Sequence, residues 1–250
     1  MSGPERPEVV LLHGVGLDSR MWARCRLGRH HRVRALDLPG HGSAPPVRGE
    51  ESLAGLAERV AARIPGPAHL VGFSLGALVA QRIALDHPAR VATLSLVSSV
   101  ANRSPEQAAA VRERLRTAEH DFAASARAAV QRWMSPRWRR EEPELAEQLL
   151  ATLLANDRDS YLACYRVFAT ADAELWPRLG AITAPTLCIT GGEDTGSTPE
   201  MTRALAAALP RGRAVVVPGA RHLLPLERPD VLTEHLSTHI EESRSEQPAL

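Results

Sequence analysis

The sequence predicts an α/β fold: a mainly parallel sheet of about six strands, with a helical region inserted part-way along the chain. Three observations point there. Short apolar runs rich in β-branched residues alternate with longer amphipathic stretches, the signature of repeated βαβ units. Those runs are apolar almost throughout rather than alternating, as expected of strands covered on both faces by helices. Between about residues 101 and 179 the alternation stops, and a charged stretch patterned as helix takes its place.

In chain order, the strand runs are Glu8 to Leu12, Val33 to Leu38, Ala68 to Phe73, Val91 to Val97, Pro185 to Thr190 and Arg213 to Val217. Helices are expected over Ser52 to Ile64, Leu75 to His87, Pro199 to Leu209 and Pro229 to Glu242. The expected division is a core made of 1–100 and 180–250 with a helical cap over 101–179. Seven of the nine aromatic residues fall in the cap: Phe122, Trp133, Trp138, Tyr161, Tyr165, Phe168 and Trp176. They suit either the small core that a separate subdomain needs or the wall of a pocket. Ser243 to Leu250 are polar and expected to fray.

At 250 residues the chain is long enough for a full core in one domain carrying an insertion. A net charge of +1 advertises neither nucleic acid nor an anionic membrane, leaving a small molecule as the expected partner. All 30 basic residues are arginine, which reads first as coding bias. Cys25, Cys164 and Cys188 are odd in number and lack metal or redox spacing, so a reducing cytoplasm is expected. Met1 to Glu8 show no secretory pattern, and no stretch reaches the roughly 20 apolar residues of a membrane helix.

The most informative motif is Gly72-Phe73-Ser74-Leu75-Gly76, set between the apolar run His69-Leu70-Val71 and an amphipathic stretch. A strand turning sharply into a helix strains the serine backbone, and small residues two positions away on either side leave room for the crossing. The Ser74 hydroxyl is then presented at the carboxyl edge of the sheet, beside the helix N-terminus. A serine needs a base, and the base a group that fixes its tautomer. Asp194, in Gly191-Gly192-Glu193-Asp194, and His222, in Pro218-Gly219-Ala220-Arg221-His222, both follow strands and fall on that same edge. Glu193 is the alternative acid. Of the ten histidines, His235 and His239 are expected to be solvated on a terminal helix, and His30 and His31 to lie in a basic approach to a strand.

His13-Gly14-Val15-Gly16 follows the first strand. It reads either as an ordinary turn or as half of an oxyanion hole, with the N–H of Val15 joining that of Leu75. Asp37 to Gly42 form a second turn, in which Asp37 and His41 are expected to satisfy loop backbone groups. There is no GxGxxG, no phosphate loop and no HExxH pair, so no cofactor and no metal are expected.

Through His13-Gly14, Asp37 to Gly42, Gly72 to Gly76, Asp194, and His222 with the following Leu223 to Pro229, the chain resembles the α/β-hydrolase superfamily over nearly its whole length. Within it, Arg132 to Arg139, Pro143-Glu144-Leu145 and Tyr161 to Tyr165 are similar to cap segments of the 3-oxoadipate enol-lactone hydrolases. That resemblance implies a small ester or lactone substrate carrying its own carboxylate, opened by Ser74, Asp194 and His222 through an acyl-enzyme. It also implies a pocket using Trp133 and Tyr165, with Arg132 and then Arg166 as cations for the carboxylate. Members of the superfamily usually carry a β-hairpin before the strand leading into His-Gly, whereas about seven residues precede it here. The strand Val33 to Leu38 is therefore expected at a sheet edge, which either is covered by a partner subunit or lowers stability. Carbon–carbon bond hydrolysis, thioester hydrolysis and perhydrolysis remain alternatives on this fold, and so does a protein that binds a small ligand without turning it over.

Overall fold

A computed structural model describes residues 7–27 and 31–245. The expectations for His30, for the first six residues and for the last five fall outside the described residues. Six parallel strands form one sheet in the order β2-β1-β3-β4-β5-β6. They are β1 (Glu8–Leu12), β2 (Val33–Leu36), β3 (Ala68–Phe73), β4 (Val91–Val97), β5 (Thr186–Gly191) and β6 (Gly212–Val217). Every residue of β3 and β5 is buried, which is why neither shows the alternating pattern of a one-sided strand. β2 lies at one edge and is mostly half-buried, and β6 closes the other edge.

From β1 the chain steps outward to β2 and then crosses back to β3 on the far side of β1. Loops leaving β1 and β3 therefore diverge, and a crevice opens between the carboxyl ends of these strands. Helix α1 (Leu53–Ala61) is started by Ser52, whose side chain accepts from the Gly55 N–H, and it packs on α2 (Leu75–Asp86).

The stretch between β4 and β5 is helical, as the sequence predicts. It comprises α3 (Pro105–His120), α4 (Phe122–Trp133), α5 (Pro136–Glu141), α6 (Pro143–Leu154) and α7 (Arg158–Leu175). Each start is written in the sequence: Ser104 with Gln107 forms a capping box, and Asp121, Ser135 and Asp157 cap α4, α5 and α7. Proline opens α3, α5 and α6, where its missing N–H costs nothing. No described helix is long and apolar enough to cross a membrane.

The chain ends in α8 (Pro199–Ala208), α9 (Leu224–Glu227) and α10 (Pro229–Ser245). Two expectations fail on α10. Ser243 does not fray: it is buried, and its hydroxyl donates to the His239 carbonyl at 2.8 Å. His239 is buried rather than solvated, because it shares the inward stripe of Leu232, Leu236 and Ile240. Its Nε2 lies 3.2 Å from the Leu94 carbonyl and 3.3 Å from that of Pro185.

Packing between β3 and α2 leaves no room at Gly72. A Cβ there would sit 2.3 Å from the Gly76 carbonyl oxygen and 2.6 Å from the Ala77 Cα, both backbone atoms that cannot swing aside. Gly72→Ala should therefore lower unfolding free energy by about 2 kcal/mol or more in urea titration, as overpacking does. Gly180→Ala, with nothing within 4 Å of the added carbon, should stay within about 0.5 kcal/mol of wild type.

Candidate active site

Ser74 sits between β3 and α2 with φ 52° and ψ −111°, a left-handed conformation that a side chain rarely adopts. It is imposed from both sides. The Ser74 N–H donates to the Val97 carbonyl at 2.9 Å, continuing the sheet, while the chain must already turn into α2. That helix begins so close to β1 that a Cβ on Gly76 would lie 2.5 Å from the Leu12 oxygen and 2.6 Å from the His13 oxygen. The result is a buried serine at the crevice, at the N-terminus of a helix.

Asp194 and His222 arrive on loops leaving β5 and β6. Gly191 allows them to meet: a Cβ there would lie 2.2 Å from the Arg221 carbonyl oxygen. The His222 Nδ1–H donates to Asp194 Oδ2 at 2.7 Å, which leaves Nε2 as the free acceptor. Asp194 Oδ1 accepts from the Gly196 N–H at 2.8 Å and the Ser197 N–H at 3.0 Å, and the Thr190 hydroxyl ties down the same loop by donating to the Ser197 carbonyl at 2.8 Å. Burial pushes the Asp194 carboxyl up, but the His222 ring and the two N–H groups outweigh it and hold the net shift downward. Glu193 instead points outward, 4.0 Å from the Arg221 guanidinium.

His222 is fixed from further directions. The Ser98 hydroxyl donates to its carbonyl at 2.9 Å, and Ser98 itself is left-handed, with φ 48°. The ring lies between Phe73, at 5.0 Å, and Trp133, which stacks on it at 6.0 Å from the inserted helices. Ser98 carries no motif in the sequence; its position just past β4 is the only signal that it would reach this edge. Ser74 and His222 line one cavity without a direct hydrogen bond between them among the described residues. Val15 lines it too, and Leu75 opens α2; among the described residues no acceptor takes the N–H of either.

The cavity is closed above by α3, α4 and α7, and it leaves about 50 Å³ for the centres of water-sized groups. An open groove of about 690 Å³ along Asp18, Asp37, Asn156 and Asp157 is larger but holds neither Ser74 nor His222. Ser125, Ala129, Arg132 and Trp133 of α4 line the inner cavity, with Tyr161, Tyr165 and Phe168 of α7. Arg132, Trp133 and Tyr165 thus come together as the sequence suggests. Arg166 does not. It stands on the outer side of α7, paired with Glu119 at 2.7 Å, because the residue after Tyr165 is turned by about 100° around the helix. Arg103 and Arg114 take its place in the wall. Arg103 follows β4 at the carboxyl edge, a position that marks ligand contacts in parallel sheets and that offers a signal for finding it.

Residues 9–235 match the α/β hydrolase family. The chain belongs to that family. It is 30% identical to the pimeloyl-(acyl-carrier protein) methyl ester esterase of Yersinia pseudotuberculosis over 247 residues, covering 95% of this chain and 94% of that one. It is 27% identical to the (E)-2-((N-methylformamido)methylene)succinate hydrolase of Acinetobacter baylyi over 244 residues, covering 95% of this chain and 91% of that one. Among solved structures, the enol-lactonase of Burkholderia xenovorans superposes with a TM-score of 0.85 at 27% identity, over 95% of this chain and 92% of that one. A malate-bound esterase of Thermogutta terrifontis gives 0.85 at 27% identity, over 95% and 90%.

In this α/β hydrolase the turns after β1 and β2 are locked together beneath the site. His13 Nδ1–H donates to the Gly14 carbonyl at 2.8 Å, and its Nε2 accepts the Leu38 N–H at 2.9 Å, so the ring is neutral. The Asp37 carboxylate accepts from the Ser19 and Ser43 N–H groups, each at 2.8 Å, the structural role expected of it. His41 lies 5.1 Å from His13, centroid to centroid. Burial first, and the neighbouring His13 second, push the His41 ring down from 6.5 to about 3. Burial also depresses His13 and His239.

A histidine whose folded value is depressed binds fewer protons folded than unfolded. Its contribution to stability is complete above about pH 6.5 and is lost as pH falls towards the folded value, near 3 for His41. Urea titrations should therefore show unfolding free energy lower at pH 5 than at pH 7, with His41 alone contributing about 2 kcal/mol. The His41→Asn variant should lose less between the two pH values than wild type; parallel losses would contradict a buried neutral ring.

Proposed function

We propose that this protein is a serine hydrolase of small carboxylic esters or lactones, with Ser74 as nucleophile, His222 as base and Asp194 as the group that orients the base. The observation that carries this reading is the left-handed Ser74 facing a cavity shared with a His222 whose Nδ1–H is held by a buried Asp194. The reading includes the division into an α/β core, 1–100 with 180–250, and a cap over 101–179 that supplies the cavity wall.

In the reaction, His222 Nε2 takes the Ser74 proton as Oγ attacks the carbonyl carbon. The carbonyl π electrons move to oxygen, and the Leu75 and Val15 N–H groups donate to that oxyanion. Collapse of the tetrahedral intermediate breaks the ester C–O bond, and His222 gives its proton to the departing alcohol. In a lactone that alcohol stays tethered to the acyl group. Water then repeats the sequence on the acyl-enzyme, with His222 as base again, and frees the acid and Ser74. Arg132 lines the same cavity and supplies a cation for a substrate that carries its own carboxylate. The enol-lactonase likeness favours the same substrate type.

A fluorophosphonate should label Ser74 and no other residue, read by peptide mass spectrometry. Ser74→Ala and His222→Ala should each lose about 10³-fold or more in kcat on a simple ester, Asp194→Asn somewhat less, and the Ser74/His222 double variant little more than either single one. Because the base must be neutral to accept a proton, kcat/KM should fall on the acid side. Ester turnover that survives Ser74→Ala would overturn this mechanism, and binding without turnover would favour a ligand-holding role.

A further inference from the structure

We propose that the cavity is built for an ester that keeps two free carboxylates besides the scissile ester group, taken by Arg114 and Arg132. The proposal rests on the hydrolase reading above and adds a count of charge to it.

Three guanidinium groups, Arg103, Arg114 and Arg132, line a cavity with little room, and they come from the loop after β4, from α3 and from α4. Among the described residues only one of them, Arg103, has an acid. Arg103 is 3% exposed; it bonds Asp172 Oδ1 at 2.5 Å from Nη1, lies 4.7 Å over the Phe168 ring, and leaves a buried Nη2 with no partner. The Arg103 N–H also donates to Asp172, so that carboxylate is fully committed. The other carboxylate of the wall, Asp194, is held by His222 and two backbone N–H groups.

Arg114 and Arg132 form no ion pair among the described residues, and the Arg132 guanidinium makes only a 3.5 Å approach to the Ala128 carbonyl. They are also close enough that the Arg114 charge disfavours the charged form of Arg132, after burial, and that of Arg103 as well. Two half-buried cations in mutual repulsion are costly unless an anion completes them. One carboxylate would satisfy one of them and leave the other unmatched.

The carbon skeleton between the charges has an apolar surface to lie against, in Trp133, Tyr165 and Phe168. Arg132 lies close enough to the site for the Asp194 charge to act on it, and it takes the carboxylate nearer the reacting carbonyl. The ligand class that follows is a short-chain ester or lactone with two carboxylates.

The test uses methyl propanoate, monomethyl succinate and monomethyl tricarballylate, which carry zero, one and two free carboxylates, in pH-stat assays at constant ionic strength. In wild type, kcat/KM should rise about tenfold or more with each carboxylate, the worth of a hydrogen bond to a charged group. Arg114→Gln and Arg132→Gln should each lower the tricarballylate-to-succinate ratio at least severalfold; because the ratio is taken within one variant, partial loss of folded enzyme cancels. A wild-type ratio of one or below, or a ratio unchanged in both variants, would overturn the proposal. If no methyl ester is cleaved, the hydrolase reading fails by itself. The charge count is then decided by calorimetry on wild type, where succinate, with two carboxylates, should bind at least tenfold more tightly than butanoate, with one, and equal affinity would overturn it.

Discussion

Everything at the candidate site hangs on one backbone crossing. Helix α2 starts directly against the last residues of β1, so closely that Gly76 has no space for a side chain, and Gly72 has none on the other side of the serine. With glycine two positions away on either side, the chain turns from strand to helix in a single residue, and Ser74 carries the strain as a positive φ. The same approach sets the turn after β1 beside the first turn of α2. Val15, in that turn, thereby lines the same cavity as Ser74. A looser junction would relieve the serine.

A second close approach, at Gly191, does the corresponding work for the acid and the base. The loop after β5 touches the Ala220–Arg221 backbone, so Asp194 and His222 are brought within 2.7 Å although 28 residues separate them. Asp194 is buried, and a buried carboxylate is tolerated only when its lone pairs are filled. Here the ring of His222 and two backbone N–H groups fill them. The acid that orients the histidine is thus held by the loop that carries it, independently of what occupies the cavity.

The sequence made the core and these two approaches legible for a common reason. Strands buried on both faces read as unbroken apolar runs, and five of the six expected runs match the observed strands within a residue at each end. The exception, Val33 to Leu38, ends at Leu36 because Asp37 turns away to accept from Ser19 and Ser43. Ser74, Asp194 and His222 were readable because each follows a strand, and strand ends map to one edge of a parallel sheet. Side chains on helices gave less, because adjacency in sequence is not adjacency on a helix. Ser125, Ala129, Arg132 and Trp133 share a face at spacings of four, seven and eight, whereas Arg166 follows Tyr165 and turns away. Arg114 escaped notice although it stands beside the inward stripe of Val111, Leu115 and Ala118, because an arginine on a mostly polar helix reads as solvated. Arg103 lies before that helix, where its place past β4 was the signal. His239 was misplaced in the same way, since it belongs to the stripe of Leu232, Leu236 and Ile240.

The inserted helices do more than roof the cavity. Trp133, the last residue of α4, stacks on the imidazole of His222, and Arg132 beside it lines the same space. From the core side, His222 is anchored through its ring to Asp194 and through its carbonyl to Ser98, both rigid because they follow the buried strands β5 and β4. One face of the ring therefore lies against a wall made by the insertion. Arg132 and Trp133 are consecutive residues of one helix, so any shift of α4 moves the ring that lies against His222 and the guanidinium in the cavity wall together.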